Sequence, residues 1–403
     1  MKKKNLLVTL IILISVILIS SGVYLAVQFS KPAIRISYIN LPQNLTVAFT
    51  KIAENSKESK KEHIEILFFD TYPTKPKELK RLLKSDLILS KSGSIPEALE
   101  AYLEEFNLDY TSTLPSTIRA MGQINKKQKA LPLVLDHFEL AWNKKLISPF
   151  ANPYEAPKSI EEILRIGYLA KENTTTPLYP FVCAGGDDES LINLIGVLIE
   201  AFFGEKAWIE TTQTAKTIDP KDLLSMPENK AFLATLNILK EWRQTGFLHP
   251  EWFHMTKADV ENFMESNLAL FVSMSFSDHR KISQKAIERY ETSYMPASIA
   301  MKESRSLTIP SYLIMQIKTK KTNQLANTIL KEIYTHEGQN ILTNATSLAP
   351  TTSQAETSDK QASDVRLWAA ASNKALPSLA SALYKNPEDI SSLAKMIRDY
   401  LEQ

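Results

Sequence analysis

The chain has 403 residues, 44 % of them apolar and 23 % charged, with 47 basic side chains against 45 acidic ones and a formal net charge of +2. That balance excludes a polyanion-binding surface built on bulk charge, and the length exceeds what one small core organises, so two lobes are expected. The single cysteine, Cys183, excludes an internal disulfide and the usual zinc spacings.

Cys183 sits in the apolar run PFVCA and reads as a small buried hydrophobe. The lysine-rich stretches 57–61 and 318–321 read as solvated loops, because no aromatics alternate with their charges as base stacking would need. Neither G-x-G-x-x-G nor G-x-x-x-x-G-K-[ST] occurs, which removes the usual support for nucleotide chemistry.

At the N-terminus, Lys2-Lys3-Lys4 precede Leu6–Val27, a span of 22 residues without a charge. As a helix it is about 33 Å long, enough for a hydrocarbon core of about 30 Å. The flanking lysines place the N-terminus in the cytoplasm and everything from Gln28 onward outside it. Residues 1–30 are therefore expected to be a membrane anchor or signal segment. An uncleaved anchor is favoured, and Ser20-Ser21-Gly22 leaves signal cleavage open.

From Ala33 short apolar strands alternate with amphipathic helices. Ile34–Ile39, Ile64–Phe69 and Asp86–Leu89 read as strands; Leu45–Asn55 and Lys77–Lys84 read as the helices between them. That alternation is the signature of a parallel sheet with crossover helices, and Ile95–Phe106 adds another helix. Ser159 with Glu162 forms a capping-box start for the next helix. Leu191–Gly204 reads as a buried helix stopped by glycine, Asn229–Gly246 as an amphipathic one with the same stop, and Pro387–Leu401 as a closing helix.

One stretch carries more. Between Asp259 and Pro350 come a helix-like run (DVENFMESN), a strand (LALFVSM), Ser275-Phe276, a strand (YLIMQI), a helix ending in His336-Glu337-Gly338-Gln339, and Leu348-Ala349-Pro350. That order, with Trp142-Asn143-Lys144 and Pro157–Ile163 upstream, resembles the extracytoplasmic solute-binding proteins of ABC importers, sugar-binding branch. The resemblance implies an α/β, two-lobed periplasmic-binding-protein type II fold with discontinuous lobes and hinge crossovers, behind an N-terminal transmembrane or signal helix. Lobe one would take 33–139 and 306–346, and lobe two 140–305 and 347–403. It also implies capture of a small solute, a carbohydrate, by a monomeric body, and delivery to ABC importer permease subunits without catalysis or cofactor. The alternative is a membrane-anchored scaffold that has lost its solute.

Ligands of such sheets gather beyond the carboxyl ends of the strands, between lobes. The candidates there are Asn40, Gln43, Ser90, Asp136 and Phe276. Asp136, at the family's acidic position, either accepts a ligand hydroxyl or caps the next turn. Phe276 stands where sugar binders carry a stacking ring, or belongs to the core. Asn40 and Gln43 either bond hydroxyls or stabilise a turn. Gly185-Gly186-Asp187-Asp188-Glu189 lacks calcium-loop spacing and reads as a turn into a helix. The six histidines form no H-x-x-x-H pair, and no G-x-S-x-G elbow occurs, so neither a metal site nor an enzyme is expected. Ser266 replaces the family's glycine, and Ser90–Ser94 its usual aromatic and charged pair.

Overall fold

The computed structural model describes residues 34–57, 63–106, 111–175, 177–216, 218, 222–224, 229–301, 305–318, 323–355, 357 and 359–403. The span expected as an anchor or signal, 1–30, lies outside the described residues. Among the described residues no helix is long and apolar enough to cross a membrane.

The chain opens with strands β1 (Ile34–Ile39), β2 (Ile64–Phe69) and β3 (Leu87–Lys91), with helix α1 (Gln43–Asn55) as the first crossover. They pair in parallel in the order β3-β1-β2, as a strand–helix–strand alternation requires. Helix α2 (Ser94–Leu99) follows β3, then a short hairpin of β4 (Gln123–Ile124) and β5 (Lys127–Gln128), then β6 (Ala130–Leu135).

Asp136 and His137 alone separate β6 from β7 (Phe138–Asn143), which belongs to a second sheet with β8 (Tyr179–Cys183), β9 (Ala269–Ser275) and β10 (Tyr290–Tyr294), in the order β10-β7-β9-β8. The chain changes sheet at these two residues. The helices of this part include Ile160–Asn173, whose cap Ser159 accepts from the Glu162 amide at 3.1 Å. Helix α3 (Asp188–Ala215) is interrupted at Gly204, whose φ of 83° is left-handed, as the sequence signal implied. Helix α4 (Lys257–Glu265) precedes β9, and the single-turn helix α5 (Phe276–His279) follows it.

The chain returns through β11 (Leu307–Thr308) to β12 (Ser311–Gln316), which inserts antiparallel between β3 and β6. The β12–β6 register shifts where Pro132, lacking an N–H, meets Leu313. With β13 (Ala349–Pro350) the first sheet reads β13-β6-β12-β3-β1-β2. Period-two alternation buries both its faces: Leu87, Leu89, Tyr312 and Ile314 join one cluster, and Ile88, Leu313 and Met315 the other.

Two expectations change. His336-Glu337-Gly338-Gln339 starts a helix rather than ending one: α6 (His336–Thr346) begins there because Thr335 Oγ accepts from the Gly338 amide at 3.0 Å. The last crossover also comes later than the boundary placed at 346–347. The fully buried Gln339 amide donates to Leu133 and Ile333 carbonyls and accepts from Thr351 N–H at 2.8 Å, holding the chain on the first sheet. Helix α7 (Lys360–Ala371) then buries Val365 and Ala369 in the first sheet's cluster. Only at β14 (Ala375–Leu376), paired in parallel with β11, does the chain cross to α8 (Leu379–Leu383) and α9 (Pro387–Glu402), which pack in the second cluster.

Candidate functional site

The carboxyl ends of β3, β6 and β9 converge on a cavity of about 190 Å³ between the two sheets. That is below the ~300–1,000 Å³ typical of pockets for drug-sized ligands. On the first-sheet side Lys91 ends β3 and Ser92 follows it, and Ser311 and Tyr312 begin β12. Ser92 N donates to Ser311 O at 2.8 Å and Ser311 N to Ser92 Oγ at 3.2 Å, so the two strand ends move as one. The opposite wall comes from the first turns of α3 (Glu189, Ser190, Asn193), from Lys257 of α4, and from Ser275, Ser277 and Asp278 around α5. Ser378 and Ser381 of the α8 turn complete it.

Asp136 sits at the crossing between sheets. Its amide donates to Pro310 O at 2.7 Å, and its Oδ1 accepts from the amides of His137 (2.8 Å) and Ser277 (3.0 Å). Burial pushes the Asp136 carboxyl up to about 6, against the opposing hydrogen bonds from Ser277 and His137. Burial likewise holds the neighbouring His137 down to about 4, and its Nδ1 lies 3.1 Å from the Thr308 carbonyl. Neutral and protonated at Nδ1, His137 ties β11 to the first crossing.

Three ion pairs surround the carboxylate. Lys91 Nζ lies 2.9 and 2.8 Å from the two Glu189 oxygens. Asp278 takes Lys257 at 2.9 Å on one oxygen and Lys281 at 2.9 Å on the other. Burial alone would raise Asp278, but the two lysines outweigh it and hold its carboxyl below the usual range. In Lys257, burial is outweighed by Asp278, Asp187 and Glu189, which raise it. Lys91, Lys257 and Lys281 thus face Asp136, Glu189 and Asp278, three charges of each sign. Such a balance fits an uncharged or zwitterionic occupant, and the serines offer donors and acceptors together. Among the described residues the aromatic rings on the wall, Phe138 and Tyr312, are themselves buried, so they present little ring face.

A smaller cavity of about 30 Å³ adjoins, lined by Asn40, Tyr384 and Lys385 and sharing Lys91, Ser92, Glu189 and Ser381 with the first. Past Gly93, a third space of about 300 Å³ runs between Met121, Trp208 and Leu376. Among its described lining residues Glu97 is the carboxylate, held by Lys216 at 2.6 Å.

Of the five residues singled out by sequence, Asp136 lines the main cavity and Asn40 the smaller one. Ser90 is buried one position short of the cavity, its Oγ donating to the Lys91 carbonyl at 3.0 Å. Gln43 is exposed at the start of α1. Phe276 is fully buried in the first sheet's cluster, with the Arg280 guanidinium 4.4 Å over its ring. The structure adds Lys91, Glu189, Lys257, Ser277 and Asp278. Glu189 carried a faint signal in the acidic turn Asp187-Asp188-Glu189, since a first-turn carboxylate at the carboxyl edge of a sheet faces the interlobe space. Among the described residues no group of three or more His, Cys, Asp or Glu side chains is arranged to hold a metal ion.

No family model matches the sequence. No curated protein matches it either. Solved structures do resemble it. A bacterial solute receptor, AcbH, described as having an exclusive preference for β-D-galactopyranose, superposes with a TM-score of 0.76 at 13 % identity, over 92 % of each chain. A putative binding protein, MsmE of Bacillus subtilis, in an open conformation, gives 0.68 at 15 % identity over 92 % of this chain and 98 % of that one. A probable secreted solute-binding lipoprotein of Streptomyces coelicolor gives 0.66 at 10 % identity, over 92 % and 99 %. At these identities the likeness establishes the fold: a two-lobed solute-binding-protein fold of mixed α and β structure.

Proposed function

We propose that this chain is a solute receptor: it closes two lobes over a small polyhydroxylated molecule, a carbohydrate, and delivers it to the permease subunits of an ABC importer. One observation carries the reading. The interlobe cavity is walled by serine hydroxyls, Asn193 and balanced ion pairs around the buried carboxyl of Asp136, on a fold shared with a galactopyranose receptor. A sugar hydroxyl is donor and acceptor at once, so a wall of both kinds satisfies it; an apolar or singly charged solute gains less there. The reading assigns no chemical step. It places the body outside the cytoplasm, held by or released from the apolar span 6–27, and working as a monomer. The scaffold reading has less support, because a cleft without an occupant has no need of a buried carboxyl and seven serines converging on one space.

The test is a thermal-shift titration of the purified chain against monosaccharides, oligosaccharides, polyols, amino acids and short peptides. Stabilisation by a saccharide rising with its concentration, by about 2.7 kcal/mol at a hundred times Kd, is the expected result. Stabilisation by amino acids or peptides alone replaces the substrate class, and no stabilisation by any class from a cooperatively folding sample overturns the reading. The same titration has a pH signature. A ligand hydroxyl donating to Asp136 favours its ionised form, so affinity is flat above neutrality and weakens as pH falls through about 6. The ligand-free fold responds to Asp136 in the opposite sense: with its carboxyl raised above the ordinary 3.8, this group adds stability as pH drops from 6 toward 4.

A further inference from the structure

Lys91 is the last residue of β3 and Glu189 lies in the first turn of α3, so their ion pair joins the two lobes across the mouth of the cleft. Both residues line the main cavity and the small one beside it, together with Ser92 and Ser381. These four are the partition between a space of about 190 Å³ and one of about 30 Å³. Two of them are backed by firm structure. Ser92 is tied to β12 through Ser311, and Ser381 to the cap of its own helix through Ser378 at 2.8 Å. The ion pair is the part that can move. Its side chains keep 32 % and 43 % of their exposure, and a pair in that setting contributes only about 0–1 kcal/mol.

We propose that the Lys91–Glu189 pair is a latch that biases the size of solute the cleft accepts, favouring a single sugar ring while the pair is made. Broken, it joins the two spaces into one groove that reaches Asn40 and Tyr384 and takes the second ring of a glycoside. The inference rests on the receptor reading above and names the residues that fix its selectivity. The energy scale fits a latch: a micromolar solute brings about 8 kcal/mol, far above what the pair supplies, so the pair biases the choice of ligand without sealing the cleft. With Lys91 withdrawn, Glu189 in the first turn of α3 offers its carboxyl oxygens as acceptors for a hydroxyl of the second ring.

The experiment compares the wild type with Lys91→Ala and, separately, Glu189→Gln in calorimetric titrations with a monosaccharide and with a disaccharide containing it. Melting curves confirm that both variants fold, as expected for a half-exposed pair. The ratio of disaccharide to monosaccharide affinity rises by up to about fivefold in Lys91→Ala, a change of about 1 kcal/mol, and by less in Glu189→Gln, which keeps a hydrogen bond. The same ratio rises in the wild type between low and high salt, since a screened pair opens more readily. A ratio that stays constant across both variants and salt, with the wild type binding sugar, overturns the latch alone. No binding of either sugar by the wild type or the variants overturns the receptor reading beneath it.

Discussion

His279→Leu lowers the stability of the chain by about 1–3 kcal/mol, the loss expected when a buried hydrogen-bonding group is left without one of its partners. Glu139 and His279 are both buried, and His279 Nδ1 is hydrogen-bonded to one oxygen of the Glu139 carboxyl. The other oxygen accepts from Gln361 Nε2 at 2.6 Å. Glu139 comes from β7 and His279 from α5, on the second sheet, whereas Gln361 comes from α7, packed on the first. The cluster therefore sits where the lobes meet, and deleting the imidazole leaves a carboxylate in a dry site with one donor. Equilibrium denaturation measures the loss. The double variant His279→Leu/Glu139→Leu recovers most of it, since two apolar side chains of suitable volume need no partner. A loss below about 1 kcal/mol in the single variant would show that water or a shifted Gln361 replaces His279.

Gly93→Val weakens solute binding by at least about tenfold, or 1.4 kcal/mol, by wedging the lobes apart. Gly93 lies between β3 and α2 with φ at 122°, a backbone conformation that a valine adopts only under strain. A Cβ built on it would stand 2.3 Å from the Ser381 carbonyl oxygen and 2.6 Å from its carbon, on α8 of the other lobe. Those are backbone atoms, so no rotamer change relieves the overlap, and either the loop or the interlobe distance gives way. Spin labels on Val47→Cys and Tyr154→Cys, one in each lobe, report which, because Cys183 is buried and does not take the label. A longer distance with weaker binding is the expected pair of results. Unchanged affinity and distance mean that the loop alone absorbs the valine and that the lobes do not touch there in solution.

The fold was largely legible in the sequence, and the reasons are local. The runs around Leu87 and Ile314 are continuous apolar strands, as central strands buried on both faces demand, and Ile34–Ile39 and Ile64–Phe69 are short β-branched and aromatic runs flanked by helical periodicity. Asp136 was legible because it ends such a run next to a chain reversal. The last crossover was not, because what delays it is a single buried amide, Gln339 holding Thr351, and no composition change marks that bond. The rest of the site was hidden by phase and by distance. β3 runs on to Lys91, so its side chain, one position past Ser90, reaches the cavity. Phe276 looks like a stacking ring by position alone, yet Arg280 and the first sheet's core enclose it. Lys257 and Asp278 are 21 positions apart in sequence and 2.9 Å apart in space, a pairing that only the folded second sheet brings about.

The central claim is that the solute occupies the interlobe cavity and is held by Asp136. Titrating the saccharide identified by thermal shift into wild-type and Asp136→Ala chain at neutral pH, with melting curves of both, tests it most directly. The account predicts that the variant folds and melts cooperatively while its saccharide binding is lost. Binding of equal strength in both chains would contradict it and move the site elsewhere.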